Sequence, residues 1–124
     1  MKNGYKNAML PPEKRAEILL KEMSLDEKMA QVNGVFPFEE LFYDMNAIDA
    51  MTPFGIGEVS TLEMRRLEKL EDVAKWQKDV QEIVMKNSPH HIPAIFHMEG
   101  LCGAFIQDAT SFPSGIERPV GIRN

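Results

Sequence analysis

Cysteine is nearly absent from this chain of 124 residues: Cys102 stands alone, so no internal disulfide can form. That usage suits a reducing compartment. Long apolar runs are missing too, and nothing approaches the roughly 18–20 consecutive apolar residues of a membrane span. Between Met1 and Leu10 there are two lysines, Lys2 and Lys6, with no apolar stretch behind them, so no secretory signal is visible. Together these absences lead to the expectation of a cytoplasmic chain with no membrane partner. Positive charge is in short supply: 14 Lys and Arg stand against 19 Asp and Glu, a net charge of -5. Binding to a phosphate backbone needs clustered cations, so nucleic acid is not an expected partner. The densest basic spot, Arg65, Arg66 and Lys69, is interrupted by Glu63, Glu68 and Glu71 and reads as a solvated helix face. No internal repeat or low-complexity tract breaks the chain.

What is present is an ordinary globular composition, 44% hydrophobic and 27% charged, in a length that suits one domain. After a polar lead-in ending in Leu10-Pro11-Pro12, a helix is expected from Pro12 or Glu13, because the missing N–H of proline costs nothing in a first turn. Ala16, Leu19, Leu20 and Met23 follow at helical spacing. Ser24-Leu25-Asp26-Glu27 has the form of a capping box, which restarts a second helix with Leu25, Met29 and Val32 on its inner face. From Asn33 to Pro53 the cluster Phe36, Phe38, Leu41, Phe42 and Tyr43 gives no clean period. A short helix and an apolar loop packed on the second helix remain equal readings.

Gly55 to Ser60 reads as a turn feeding a short strand. The longest regular segment, about Leu67 to Lys86, carries a stripe of Leu70, Val73, Ala74, Val80, Ile83 and Val84, with Trp76 near its edge. Asn87-Ser88-Pro89 stops that helix. Ile92 to Met98 is a compact apolar run, expected as a strand buried on both faces. Strand, helix and strand in this order predict parallel neighbours joined by a helical crossover, an α/β architecture. Beyond Glu99 there are four glycines, two prolines and no regular pattern, with Phe112-Pro113-Ser114-Gly115 suggesting a rigid turn.

Glu99 immediately follows the last strand, where parallel α/β folds place their ligands. A carboxylate there can accept hydrogen bonds from two hydroxyls at once, which is how a protein grips a sugar diol. His90, His91, His97 and Cys102 match no standard zinc spacing, so no metal is expected. Nothing near Cys102 supplies the base a nucleophilic thiol needs. Gly55-x-Gly57 precedes its strand and lacks a third glycine, which excludes a dinucleotide loop, and no cofactor is expected.

Three stretches together resemble the N-terminal region of glycoside hydrolase family 3, the family of many β-glucosidases and β-xylosidases. They are Arg15 to Val32 with its capped Ser-Leu-Asp-Glu-Lys, Gly55-Ile-Gly-Glu-Val as the first barrel strand, and Ile92 to Ile116 with an acid, a glycine loop and a Phe-Pro turn. The likeness runs over residues 12–116, leaving 117–124 as a divergent tail. It implies that residues 1–124 are an incomplete (β/α)8 TIM-type barrel: leading helices and about the first two strand–helix units. It also implies an O-glycosyl hydrolase acting on terminal β-linked glucose- or xylose-type sugars by a retaining mechanism, with a carbohydrate substrate. In that family the acid after the second strand contacts sugar hydroxyls, and Glu99 takes that place, where Asp is frequent. Cys102 stands where many members carry histidine. No acid here matches the nucleophile's motif, so no catalytic residue is assigned and the chain is expected to be inactive alone. A non-catalytic carbohydrate-binding or protein-interaction remnant is the alternative. Two open-edged strands predict exposed apolar faces, and through them self-association.

Overall fold

The computed structural model describes residues 4–104 and 106–113. Four α-helices and three short strands alternate in it, with 3-10 turns at Gly4–Lys6, Glu39–Phe42 and Leu62–Arg66. Helix α1 (Pro12–Glu22) begins on its proline, as expected, and Met23 closes it by donating its N–H to Leu19. Helix α2 (Leu25–Gln31) is opened by the full capping box. The Ser24 hydroxyl accepts from Glu27 N–H at 3.2 Å, and a Glu27 carboxylate oxygen accepts from Ser24 N–H at 2.8 Å.

That box makes Glu27 a titrating latch. The Ser24 N–H, then the Ser24 hydroxyl, hold its carboxyl below the usual 4.5, with the nearby imidazole of His90 pulling the same way. A depressed carboxyl contributes stability above its unfolded value and loses it as pH falls through the folded one. Thermal stability of the chain should therefore fall as pH drops below about 4.5, with a shallower fall in Glu27→Gln. Ser24→Ala should cost about 1 kcal/mol at neutral pH. Parallel acid-melting curves for wild type and Glu27→Gln would show that the latch carries no weight.

The cluster from Asn33 to Pro53 resolves into more than either expected form. Strand β1 (Gly34–Val35) comes first, then the 3-10 turn, then helix α3 (Met45–Met51), which Asp44 caps by accepting from the N–H groups of Asn46 and Ala47. Strand β2 (Glu58–Ser60) follows, then helix α4 (Leu70–Asn87), then strand β3 (Ile95–His97). The sheet is parallel throughout in the order β1-β2-β3. Three strands, not two, are thus present among the described residues, and Gly55-Ile-Gly-Glu-Val leads into the second, which takes up its Glu58 and Val59. Two residues in an aromatic cluster carry no alternation, which is why β1 leaves no trace in the pattern.

The core lies between the sheet and α4. Val59, Val80 and Val84 are wholly enclosed there with Phe42 and Ile48. Trp76, near the edge of the apolar stripe, is buried in this core. Its ring stacks on Phe42 at 4.4 Å and 14°, meets Phe96 edge-on, and its indole N–H donates to the Phe42 carbonyl at 2.7 Å. Gln81 grips the Ala94 peptide from both sides, donating to its carbonyl at 3.2 Å and accepting from its N–H at 3.0 Å. Leu70 and Ala74, expected in the stripe, face solvent. Helix α4 starts at Leu70, after the 3-10 turn that ends at Arg66, because Leu67 and Lys69 between them are extended.

Three further expectations are corrected. On α2, Leu25 is 72% and Val32 77% exposed, with Met29 half exposed, so the apolar face of this helix points away from the core. The residue α2 buries is Glu27, because its carboxylate turns inward to the cap and to His90. Strand β3 is covered on one face only: Phe96 packs towards Trp76, while Ile95 is 66% exposed. Successive side chains alternate between faces, and only the helical layer covers the sheet among the described residues. In the basic spot around Arg65, the side chains of Arg65, Arg66, Glu68, Lys69 and Glu71 are exposed as expected, and the departure is Glu63. Glu63 is wholly buried in the 3-10 turn, its two oxygens paired with the guanidinium groups of Arg65 and Arg66. Ser114, Gly115 and the tail 117–124 lie outside the described residues. Among those described, no helix is long and apolar enough to cross a membrane.

Candidate functional site

Parallel strands bring their carboxyl ends to one side, and here three consecutive strands do so. Val35 and Phe36 at the end of β1, Ser60 of β2 with Leu62 of the 3-10 turn that follows it, and His97 of β3 with Glu99 just beyond it line one open cavity of about 350 Å³. That volume lies within the range of small-molecule sites. Glu99, the one functional residue singled out in the sequence, is exposed and sits on this cavity's wall.

The backbone beneath Glu99 is clamped. Thr61, itself buried, donates twice to the carbonyl of His97, from its N–H at 2.9 Å and from its hydroxyl at 2.8 Å. One of these continues the sheet ladder; the other is an extra bond that fixes the end of β3 two residues before the carboxylate. Beyond it, the chain turns at Gly103, whose positive φ of 96° suits glycine. A Cβ there would lie 2.2 Å from the Thr110 carbonyl oxygen. The Phe112 N–H returns to the Cys102 carbonyl at 2.7 Å, so the Glu99 loop is tied back on itself.

On the open face of the sheet, Glu58 of β2 and His97 of β3 approach to 4.0 Å. His97 thereby joins Ser60 and Glu99 as a polar group bordering the cavity, although the sequence alone gave it only the place of an ordinary strand residue. Ser60 and His97 are register partners on neighbouring strands, so it is the pairing of β2 with β3, and no spacing within the sequence, that brings them to one face.

The other candidates separate. His90 lies in the turn before β3, with Nδ1 3.1 Å from the Tyr5 hydroxyl and Nε2 3.4 Å from a buried oxygen of Glu27. The ring of His91 reaches the Met85 carbonyl at 2.9 Å. Cys102 is half-buried in the loop. Among the described residues no three such side chains gather to hold a metal. A second cleft of about 360 Å³, lined by Asp26, Met29, Met51, Pro53 and Phe54 among others, borders the turn that leads into β2.

Comparison with known proteins gives two informative matches. A protein of Formosa agariphila named "Putative beta-xylosidase" is 30% identical over 87% of this chain and 15% of its own length. A solved β-glucosidase structure from Erythrobacter marinus superposes with a TM-score of 0.65 and 32% identity, over 86% of this chain and 14% of that one. Both are glycosidases by name. No protein-family model matches the chain. The mixed α/β layering, with its small parallel sheet and helical crossovers, is therefore shared with a β-glucosidase, and the chain spans about one seventh of the length of these relatives.

Proposed function

We propose that this chain is part of a β-glycosidase barrel of the family 3 type, and that it supplies a sugar-binding wall at the carboxyl ends of its first strands. The observation that carries the reading is the convergence of β1, β2 and β3 on one cavity with Glu99 at its edge. A (β/α)8 barrel binds its substrate at this end, and the two glycosidase relatives agree with a carbohydrate ligand. In this reading Glu99 accepts hydrogen bonds from neighbouring hydroxyls of a terminal β-linked glucose- or xylose-type sugar. Retaining hydrolysis needs two carboxylates about 5–5.5 Å apart, and none of the 124 residues matches the nucleophile's motif. The chain thus contributes binding and orientation and does not hydrolyse glycosides by itself.

The same reading assigns the chain to the cytoplasm and proposes that it associates with itself through open sheet edges and the exposed Leu25–Val32 face of α2. Calorimetric titration with methyl β-D-xylopyranoside and methyl β-D-glucopyranoside tests the central part. Hydrogen bonds to a charged group contribute about 1.5–3 kcal/mol, so Glu99→Gln should weaken binding by roughly ten- to a hundredfold. Equal affinity in the two proteins would remove Glu99 from the site.

A further inference from the structure

Phe36 stands at the carboxyl end of β1 and lines the cavity that Glu99 borders. The residue is 44% exposed, which leaves apolar surface in water in a cavity that a carboxylate also lines. Pro37, the next residue, is wholly buried and fixes the local backbone, and Phe38 braces Phe36 with ring centroids 5.5 Å apart at 36°. An aromatic side chain lining the same cavity as acceptors and donors (Glu99, Ser60, His97) makes a surface with two chemistries, one apolar and one hydrogen-bonding.

A pyranose ring has the matching division. When its substituents are equatorial, the hydroxyls lie around the rim and axial C–H groups cover both faces. Those C–H groups carry slight positive polarisation, and the face of a phenyl ring is negative. We infer that Phe36 is the stacking platform of this cavity, and that the site takes the C–H face of a pyranoside whose rim hydroxyls reach Glu99. The inference rests on the sugar-binding reading above and adds to it the residue that distinguishes a closed sugar ring from an open polyol. Xylitol offers comparable hydroxyls to a carboxylate but no rigid C–H face to an aromatic ring.

The test is a paired titration of the whole chain with methyl β-D-xylopyranoside and with xylitol, followed by calorimetry and by the proton spectrum of the ligand. In the wild type, axial protons of one face of the xyloside should shift upfield under the ring current of Phe36. Phe36→Leu, which keeps the bulk without the face, and Phe36→Ala should each abolish that shift and weaken xyloside binding by about five- to tenfold. Both should leave xylitol binding unchanged, and Phe36→Tyr should retain the preference. Glu99→Gln should weaken both ligands together. If Phe36→Leu binds the xyloside as the wild type does while Glu99→Gln loses it, the platform is overturned and the carboxylate site stands. If the wild type binds neither ligand, both readings fall.

Discussion

Trp76→Ala is expected to lower the melting temperature of the chain by more than about 12 °C. Removing a buried tryptophan costs about 3–5 kcal/mol, and each kcal/mol moves a domain of this size by roughly 4–8 °C. The loss is of several kinds at once. Trp76 stacks on Phe42, touches Phe96 edge-on, and donates its indole N–H to the Phe42 carbonyl, so it ties α4 to the 3-10 turn and to β3. An alanine leaves a cavity between all three and removes the donor. Trp76→Phe separates the contributions, because it retains an aromatic plane without the N–H, and should cost less than half as much. A melting temperature within about 3 °C of wild type for Trp76→Ala would show that the core lies elsewhere.

The second large effect belongs to Gly57. Its N–H is shared between the carbonyls of Ala30 at 2.9 Å and Asn33 at 3.1 Å, which brings the end of α2 hard against the entry to β2. A Cβ placed there would lie 2.1 Å from the Gln31 carbonyl oxygen and 2.7 Å from its carbon. Both are backbone atoms, so no side chain can rotate away. Overpacking by one methyl group costs about 1–3 kcal/mol where neighbours yield, and Gly57→Ala should reach or pass the upper end of that range. The strand would be forced off α2, and its Gly57 carbonyl would lose alignment with the Ile95 N–H, now 2.8 Å away. Hydrogen exchange should therefore quicken at Ile95 as well as at Gly57. Wild-type protection at Ile95 in this variant would contradict the coupling of α2 to the sheet.

Local signals were the legible ones. Pro12 and the Ser24-to-Glu27 box announce helix starts because the capping chemistry is contained within four residues. The strand–helix–strand order of β2, α4 and β3 follows from periodicity and length, and Glu99 from its place after a strand. The illegible features depend on distant partners. Strand β1 is two residues long and exists because Val35 pairs with Val59. The outward face of α2 reads as inward because an apolar stripe does not say which layer covers it. Glu63 looks solvated in a charge run, and only the fold turns it under Arg65 and Arg66. The cavity is likewise a property of three strand ends brought together, so Phe36, Ser60 and His97 enter it by topology and Glu99 alone by pattern.

The most direct test of the account is where a sugar touches the chain. Amide signals of the isotopically labelled protein, followed during titration with methyl β-D-xylopyranoside, report each position separately. Shifts are expected at Val35, Phe36, Ser60, Leu62, His97 and Glu99, around the three strand ends that border the cavity, and none at Asp26, Ala30, Met51 or Phe54 around the second cleft. Shifts confined to that second cleft, or none anywhere, would contradict the placement of the sugar site at the carboxyl ends of the strands.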